Sequence, residues 1–317
     1  MRFQFYSEAL DNVPKLSVDG TVDNAIHFSH WQGNTTPAEV KADTSTEIAL
    51  NLVASPNYEA LTQGIGLVTN NHFDTDGVLS IWTVLSGKRA LEYRDLLISA
   101  ADAGDFSEHT SDDGVRVSIA IQGSDQAGSD NDDSSPLARL LAGTDVDDDA
   151  HAYELVLPEV ERLLVDVNAY ESLWREGWNQ VALAFESFER GRSQVVEHSG
   201  ISLITLESGL QNPKMAIARH ARGELFLIAT PASGGWLYQL YYPYYSWADT
   251  VVRPRIARRD LTNALATLSE KEVNGVWKID NRELTSVARF VNSDGRLTAS
   301  SLAPDEVVAV LNAACTM

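Results

Sequence analysis

The sequence predicts an α/β fold: a largely parallel sheet flanked by helices, then a long amphipathic helix, then a mixed α/β C-terminal half. Three observations carry this. Short apolar runs bounded by glycine or polar turns alternate with helical stretches through short links. From Leu157 to Phe188 the apolar residues recur at spacings of three and four. Beyond residue 193 strands and helices alternate again, with a glycine hairpin turn at "SGG". The chain therefore divides into an α/β domain (1–150), a long bracing helix (151–192) and a C-terminal α/β domain (193–317) that could bind substrate.

The elements follow in order. "PKLSVDG" reads as a strand ending in a glycine turn, and "NAIHFSHW" as a second strand. Thr36 before Pro37 predicts a helix start, a hydroxyl cap followed by proline at the first helical position. Asp43 can cap a second turn of helix, with Glu47 near its positive end. "GIGLVTNNHF" is a buried strand. "GVLSIWTVLSG" and "KRALEYRDLLISAADAGDF" are helices, the first closed by Gly87 and the second near Gly104. "VRVSIAIQGS" alternates and predicts a strand. "GSDQAGSDNDDSSP" predicts a solvated, mobile acidic loop. "LARLLAG" is a short helix and "TDVDDDAHAYE" an acidic link.

The long helix has Pro158 in its first turn and Gly191 just past its end. Its stripe suits a brace between two halves or a homodimer seam. Glu171 interrupts the stripe and favours packing within the chain. Next come one or two strands in "QVVEHSGISLITLES", a helix in "PKMAIARHA" and the hairpin "GELFLIATPASGGWLYQLYYPYYSW". "RRDLTNALATLSEKE" is a helix, "GVWKIDN" a strand, and "APDEVVAVLNAAC" the final helix.

The formal net charge is −21. That average field repels nucleic acid and disfavours it as a partner. An acidic, lysine-poor surface suits plain solubility, and also hydration at high salt. The longest apolar stretches fall well short of the ~20 residues a membrane span needs. No basic start precedes an apolar block at the N-terminus, so the expectation is a cytoplasmic protein without signal peptide or membrane span. Cys315 is the sole cysteine, which rules out an internal disulfide or a cysteine-rich zinc site.

The most informative stretch is "TNNHFDTDGVLSIW", where strand passes into helix. In extended chain His72, Asp74 and Asp76 would project to one side. Open α/β sheets bind ligands at the carboxyl ends of their strands. Two carboxylates and an imidazole suit Mn²⁺ or Mg²⁺. "DTDG" also makes a polar turn, in which Asp76 would cap the following helix.

"HFDTDGVLS" resembles the first motif of the DHH-family phosphoesterases, H-x-D-x-D-G after a strand, with Ser80 at the small or hydroxyl position three past the glycine. The resemblance implies a DHH-like domain at 1–150 whose two-manganese centre activates water against a phosphate ester or anhydride. It implies metal-ligand roles for His72, Asp74 and Asp76, and the direct catalytic part for His72 and Asp76. "ISAADAGDF" is similar to a second segment of that family and implies Asp105 as a further ligand. The sequence contains no D-H-H triplet and no G-G-G-H loop. The pairing of "HWQGNTTP" with "HFDTDG" also resembles an uncharacterised bacterial protein family.

With the triplet absent, another ligand is needed. His27 and His30 in "HFSHW" face opposite sides of a strand, and His30, next to the loop, is the candidate; Asp43 could face the same pocket. The only basic cluster, Arg253, Arg255, Arg258 and Arg259, follows seven aromatics in "WLYQLYYPYYSW". Aromatics beside arginines can stack a base and neutralise phosphate. Arg253, Arg255 and Tyr245 are therefore candidate substrate-binding residues, and "IARHARG" adds His220. The same tyrosines equally suit a half-buried strand, and the arginines can pair with Asp249 and Asp260. The function expected is a Mn²⁺- or Mg²⁺-dependent hydrolase of a small phosphorylated substrate. The alternative is a non-catalytic remnant of the fold that binds an acidic small molecule or a protein partner.

Overall fold

In the computed structural model, residues 1–124 and 135–315 are described. The expected acidic loop at 123–136 falls almost wholly outside them. The chain forms two compact units: Met1–Asn179 with Ala248–Pro254, and Gln180–Trp247 with Arg255–Met317.

The first unit contains β1 (Arg2–Phe3), β2 (Leu16–Val18), β3 (Ile26–Phe28), α1 (Ser45–Ala54), α2 (Tyr58–Leu61), β4 (Leu67–Thr69), α3 (Thr75–Ser86), α4 (Arg94–Phe106), α5 (Asp112–Gln122), α6 (Pro136–Ala142), α7 (Asp149–Val156) and α8 (Val160–Val165). Helix α9 (Glu171–Glu189) starts in this unit and ends in the second. The strands form an all-parallel sheet in the order β1-β4-β2-β3. Leu16, Val18, Phe28, Leu67 and Val68 are buried, as continuous apolar strands covered on both faces must be. Helix α3 packs on α1 and α4 and on three of the strands. Its Val78, Leu79 and Ile81 are fully buried, each burial contributing about 1.5–3 kcal/mol.

Several expectations change. Thr36–Pro37 does not start a helix; the Thr36 hydroxyl bonds the backbone of Ser29 instead and fastens the end of β3. Helix α1 begins at Ser45 with Thr44, not Asp43, as its cap. "VRVSIAIQGS" is helix α5, not a strand. Ser111 caps it, Asp112 and Asp113 fill its first turn and Gly123 ends it at φ 87°. Its alternation misleads because α5 is buried nearly all round, so no helical stripe shows. Helix α4 runs past Gly104 to Phe106, which places Asp105 on the helix. The acidic link carries helix α7. The expected continuous helix from Leu157 is broken at Asp166 (φ −149°, ψ 84°), whose carboxylate caps Asn168 and Ala169.

The second unit contains β5 (Gln194–His198), β6 (Ile201–Thr205), α10 (Lys214–His220), β7 (Leu225–Ala232), β8 (Gly235–Tyr241), α11 (Thr262–Glu270), β9 (Val276–Ile279), β10 (Ser286–Val291) and α12 (Pro304–Cys315). Its mixed sheet has the order β5-β6-β7-β8-β10-β9, with only β6 and β7 parallel. Alternate residues Leu225, Leu227 and Ala229, then Tyr238 and Leu240, join Leu265 and Leu268 of α11 and Val307 and Leu311 of α12 in one core. Most of the aromatic hairpin is core. Tyr238, Tyr241, Tyr242 and Tyr244 are buried, and Tyr238 stacks on Trp277 at 5.4 Å. They are not a platform for stacking bases.

Candidate metal centre

In a parallel sheet all strands end at one edge. Asp19 directly follows β2, His30 lies two residues past β3, and "NNHFDTD" follows β4, with β2 in the middle of the three. The link from β2 to its parallel neighbour β3 is short. It turns through two left-handed residues, Asp19 (φ 67°) and Asn24 (φ 52°). Aspartate and asparagine tolerate this region better than other side chains with a Cβ. Asp105 comes from the last turn of α4.

Two groups of side chains result. Asp19, His30, Asp76 and Asp105 each offer a ligand atom within 4.8 Å of the others, as do Asp19, His72 and Asp74. Asp19 belongs to both. Its Oδ1 lies 3.5 Å from His30 Nε2 and its Oδ2 2.8 Å from His72 Nε2. His30 Nε2 is also 3.1 Å from Asp105 and 3.7 Å from Asp76. The first group is interior: the His30 and Asp76 side chains are 0% exposed and Asp105 5%. The second is a rim, with His72 at 27% and Asp74 at 28%.

The structure thus brings together His30, His72, Asp74, Asp76 and Asp105. It does not bring His72, Asp74 and Asp76 to one side as alternation in extended chain requires, because the helix starts at Thr75. Asp74 caps α3 through Gly77 N–H at 2.7 Å, leaving its other oxygen toward His72. Asp76 lies inside the first turn and accepts the Ser45 and Thr46 N–H groups of α1, both at 2.7 Å. It is held by the positive end of α1 rather than capping its own helix.

Outer partners orient the inner atoms. His30 Nδ1 is 2.7 Å from the Asp43 carbonyl and His72 Nδ1 3.0 Å from Asn71 Oδ1. With Nδ1–H donating, each ring, once deprotonated at Nε2, would offer that lone pair to a cation among the carboxylates. Asp43 therefore serves through its backbone, not as a ligand. Asn70 Nδ2 donates to Tyr153 Oη at 2.9 Å and approaches Asp19 Oδ2 at 3.4 Å. Gly77 has no room for a side chain: a Cβ would meet Asn70 Nδ2 and Tyr153 Oη, each at 2.5 Å. Gly77→Ala is expected to destabilise by about 1–3 kcal/mol through overpacking. A thermal melt checks it, at about 2–4 °C per kcal/mol.

The buried acids and imidazoles shift one another's ionisation. Burial raises Asp76, Asp19 adds to it, and the carboxyl is pushed up to about 7. Burial, with Asp76 and Asp74, holds Asp105 well above the usual carboxylate range. Burial alone would lower His30, but Asp105, Asp76 and Asp19 outweigh it and raise the imidazole to about 10. His72 rises likewise to about 12 against its burial, through Asp74 and Asp19. Burial opposes ionisation of Asp19, yet His72 and His30 hold it below its ordinary value. Asp19 Oδ1, His72 Nε2 and Asp105 Oδ2 are buried and make no well-aligned hydrogen bond. Their partners are the ion pairs of the cluster itself, at 2.8 to 3.5 Å. Four carboxylates with neutral imidazoles carry −4, which two divalent cations would cancel. The oxygen and imidazole donors fit a hard or borderline cation.

Of the expected substrate residues, Arg253 alone belongs to the first unit. Arg253, expected to clamp phosphate, is committed to Asp43 (2.8 Å), Asp102 (2.8 Å) and Glu108 (2.7 Å). Arg255, Tyr245 and His220 are in the second unit. Arg255 is exposed, Tyr245 half-buried, and His220 stacks on Phe188 at 5.0 Å. Sequence reasoning missed Asp19, Asn70 and Tyr153. The aspartate–glycine pair closing "KLSVDG" was the available signal for the first.

Among the described residues no helix is long and apolar enough to cross a membrane. No functionally curated protein matches the chain. A solved pGpG-specific phosphodiesterase, PggH from Vibrio cholerae, shares 11% identity at a TM-score of 0.38, over 95% of this chain and 84% of that one. That likeness is too weak to carry an argument. A model described as a family of unknown function, DUF6687, matches residues 1–316, and the chain belongs to that family.

Proposed function

We propose that this chain is a divalent-metal-dependent hydrolase acting on a phosphate ester or nucleotide. The observation that supports it best is the pair of Asp/His groups sharing Asp19, with buried ligand atoms that lack aligned hydrogen bonds. The resemblance of "HFDTDG" to the first DHH-family motif points the same way. Asp19, His30, Asp76 and Asp105 would hold an interior cation, and Asp19, His72 and Asp74 a rim cation, with Mn²⁺ the better fit to two imidazoles. Divalent cations held there would polarise a phosphoryl oxygen and lower the pKa of water toward 7. His72 and Asp74, partly exposed, are the groups a substrate can reach. Asp76, fully buried on the α1 N-terminus, positions charge rather than meeting substrate.

Purified protein is expected to bind about two Mn²⁺ per chain and to hydrolyse bis(p-nitrophenyl) phosphate in an EDTA-sensitive way. Metal content by mass spectrometry and release of nitrophenol check it. Hydrolysis that survives complete chelation would refute the reading. Mn²⁺ uptake without hydrolysis of phosphomonoesters, phosphodiesters or nucleotides would leave a binding protein.

A further inference from the structure

We propose that Arg253 is a positioning residue that holds His30 and Asp105 together and so sets the cation affinity of the interior half of the centre. The proposal rests on the metal-centre reading above. Ala248–Pro254 belongs to the first unit, although the chain on either side belongs to the second. This strap has two attachments to the loop that carries His30. The Asp249 N–H donates to the His30 carbonyl at 2.7 Å, while its carboxylate takes Lys41 at 3.0 Å. The N–H groups of Val251, Val252 and Arg253 all donate to the Asp43 carboxylate. Asp43 is the residue whose carbonyl takes His30 Nδ1.

The Arg253 guanidinium joins that attachment to α4. Nη1 donates to Asp43 at 2.8 Å and Nη2 to Asp102 at 2.8 Å, and Nε and Nη2 grip Glu108 at 2.9 and 2.7 Å. Asp102 and Glu108 lie three residues on either side of Asp105. The guanidinium also sits 4.6 Å over the Phe106 ring, which packs 5.7 Å from the His30 ring. One planar side chain thus ties the support of His30 to the helix end bearing Asp105. The Arg253 side chain is only 18% exposed, so these charge-assisted bonds are shielded from water. No comparable bond from Arg253 reaches the rim residues His72 and Asp74 among the described contacts.

Outer partners of this kind typically change metal affinity about 10- to 100-fold. The test is Mn²⁺ titration of the full chain, followed by electron paramagnetic resonance, for wild type, Arg253→Gln and Arg253→Lys. Arg253→Gln is expected to weaken one class of site by that factor and leave the other within about 3-fold. Arg253→Lys should fall between, since an ammonium cannot reproduce the fork. In metal-free protein the His30 Nδ1 proton, seen by NMR, should exchange faster in Arg253→Gln. If that variant does not fold, Glu108→Gln, which leaves the bonds to Asp43 and Asp102, should shift the same class by less. Equal weakening of both classes, or no weakening, overturns the proposal. A wild type that takes up no Mn²⁺ overturns the metal-centre reading and this proposal with it, whereas uptake unchanged in the variants overturns this proposal alone.

Discussion

Asp19→Asn is expected to remove both cations and to lower phosphodiester hydrolysis by about 1,000-fold or more. Asp19 is the one residue common to the two groups, with Oδ1 toward His30 and Oδ2 toward His72. The substitution keeps size and shape but takes one of four negative charges from the centre. Asparagine also tolerates the left-handed backbone at this position, so the β2–β3 link should survive. Metal-ion catalysis contributes several kcal/mol to transition-state stabilisation. Losing about 4 kcal/mol corresponds to about 1,000-fold in rate. Asp74→Asn should do less, because the interior group stays complete and Asp74 belongs only to the rim. Metal stoichiometry, melting temperature and hydrolysis, measured side by side, separate lost ligation from lost fold. A folded Asp19→Asn protein that still carries wild-type metal would show that Asp19 is not shared.

The centre was legible where its chemistry is local. An imidazole and two acids in one short segment, between an apolar strand and an apolar helix, stand out in any acidic chain. What each does there depended on one backbone detail, the helix starting at Thr75 and not at Gly77. That shift sends Asp74 to the rim and Asp76 to the interior. Asp19 was hidden because an aspartate before glycine reads as turn chemistry, and strand adjacency is a tertiary fact. His30 and Asp105 emerged only as spare candidates, since 75 residues separate them and the fold alone places them 3.1 Å apart. Arg253 misled for the reverse reason. Its sequence neighbours are basic, whereas its neighbours in space are Asp43, Asp102 and Glu108. Helix α5 misled because its buried face extends most of the way round, which erases the period that separates helix from strand.

Stability in the absence of cation is expected to fall as pH rises from about 5 to about 9, and Mn²⁺ to restore it most at the alkaline end. Asp76 ionises near 3.8 in the unfolded chain and near 7 when buried beside Asp19. A raised carboxyl disfavours the folded state increasingly between those values, and fully above them. His30 works in the same direction by the opposite route. Its imidazole, raised from 6.5 to about 10, stabilises fully below 6.5 and loses that contribution as pH climbs through 10. His72, raised to about 12, and Asp105, raised by burial, follow the same trend. Asp19 alone runs the other way, and its lowered value acts only below the ordinary carboxylate range. A cation replaces the protons that hold this cluster together, so it binds best where they have left. At 100 times its dissociation constant, one bound ion contributes about 2.7 kcal/mol. At about 2–4 °C per kcal/mol, that is a rise in Tm of about 5–10 °C per site near pH 8.5. At pH 5.5 protons compete and the rise should shrink toward zero. Thermal melts with EDTA and with Mn²⁺ at the two pH values decide it. A metal-free Tm that is flat across this range, or a Mn²⁺ effect equal at both ends, would mean that the carboxylates and imidazoles do not share charge as their distances require.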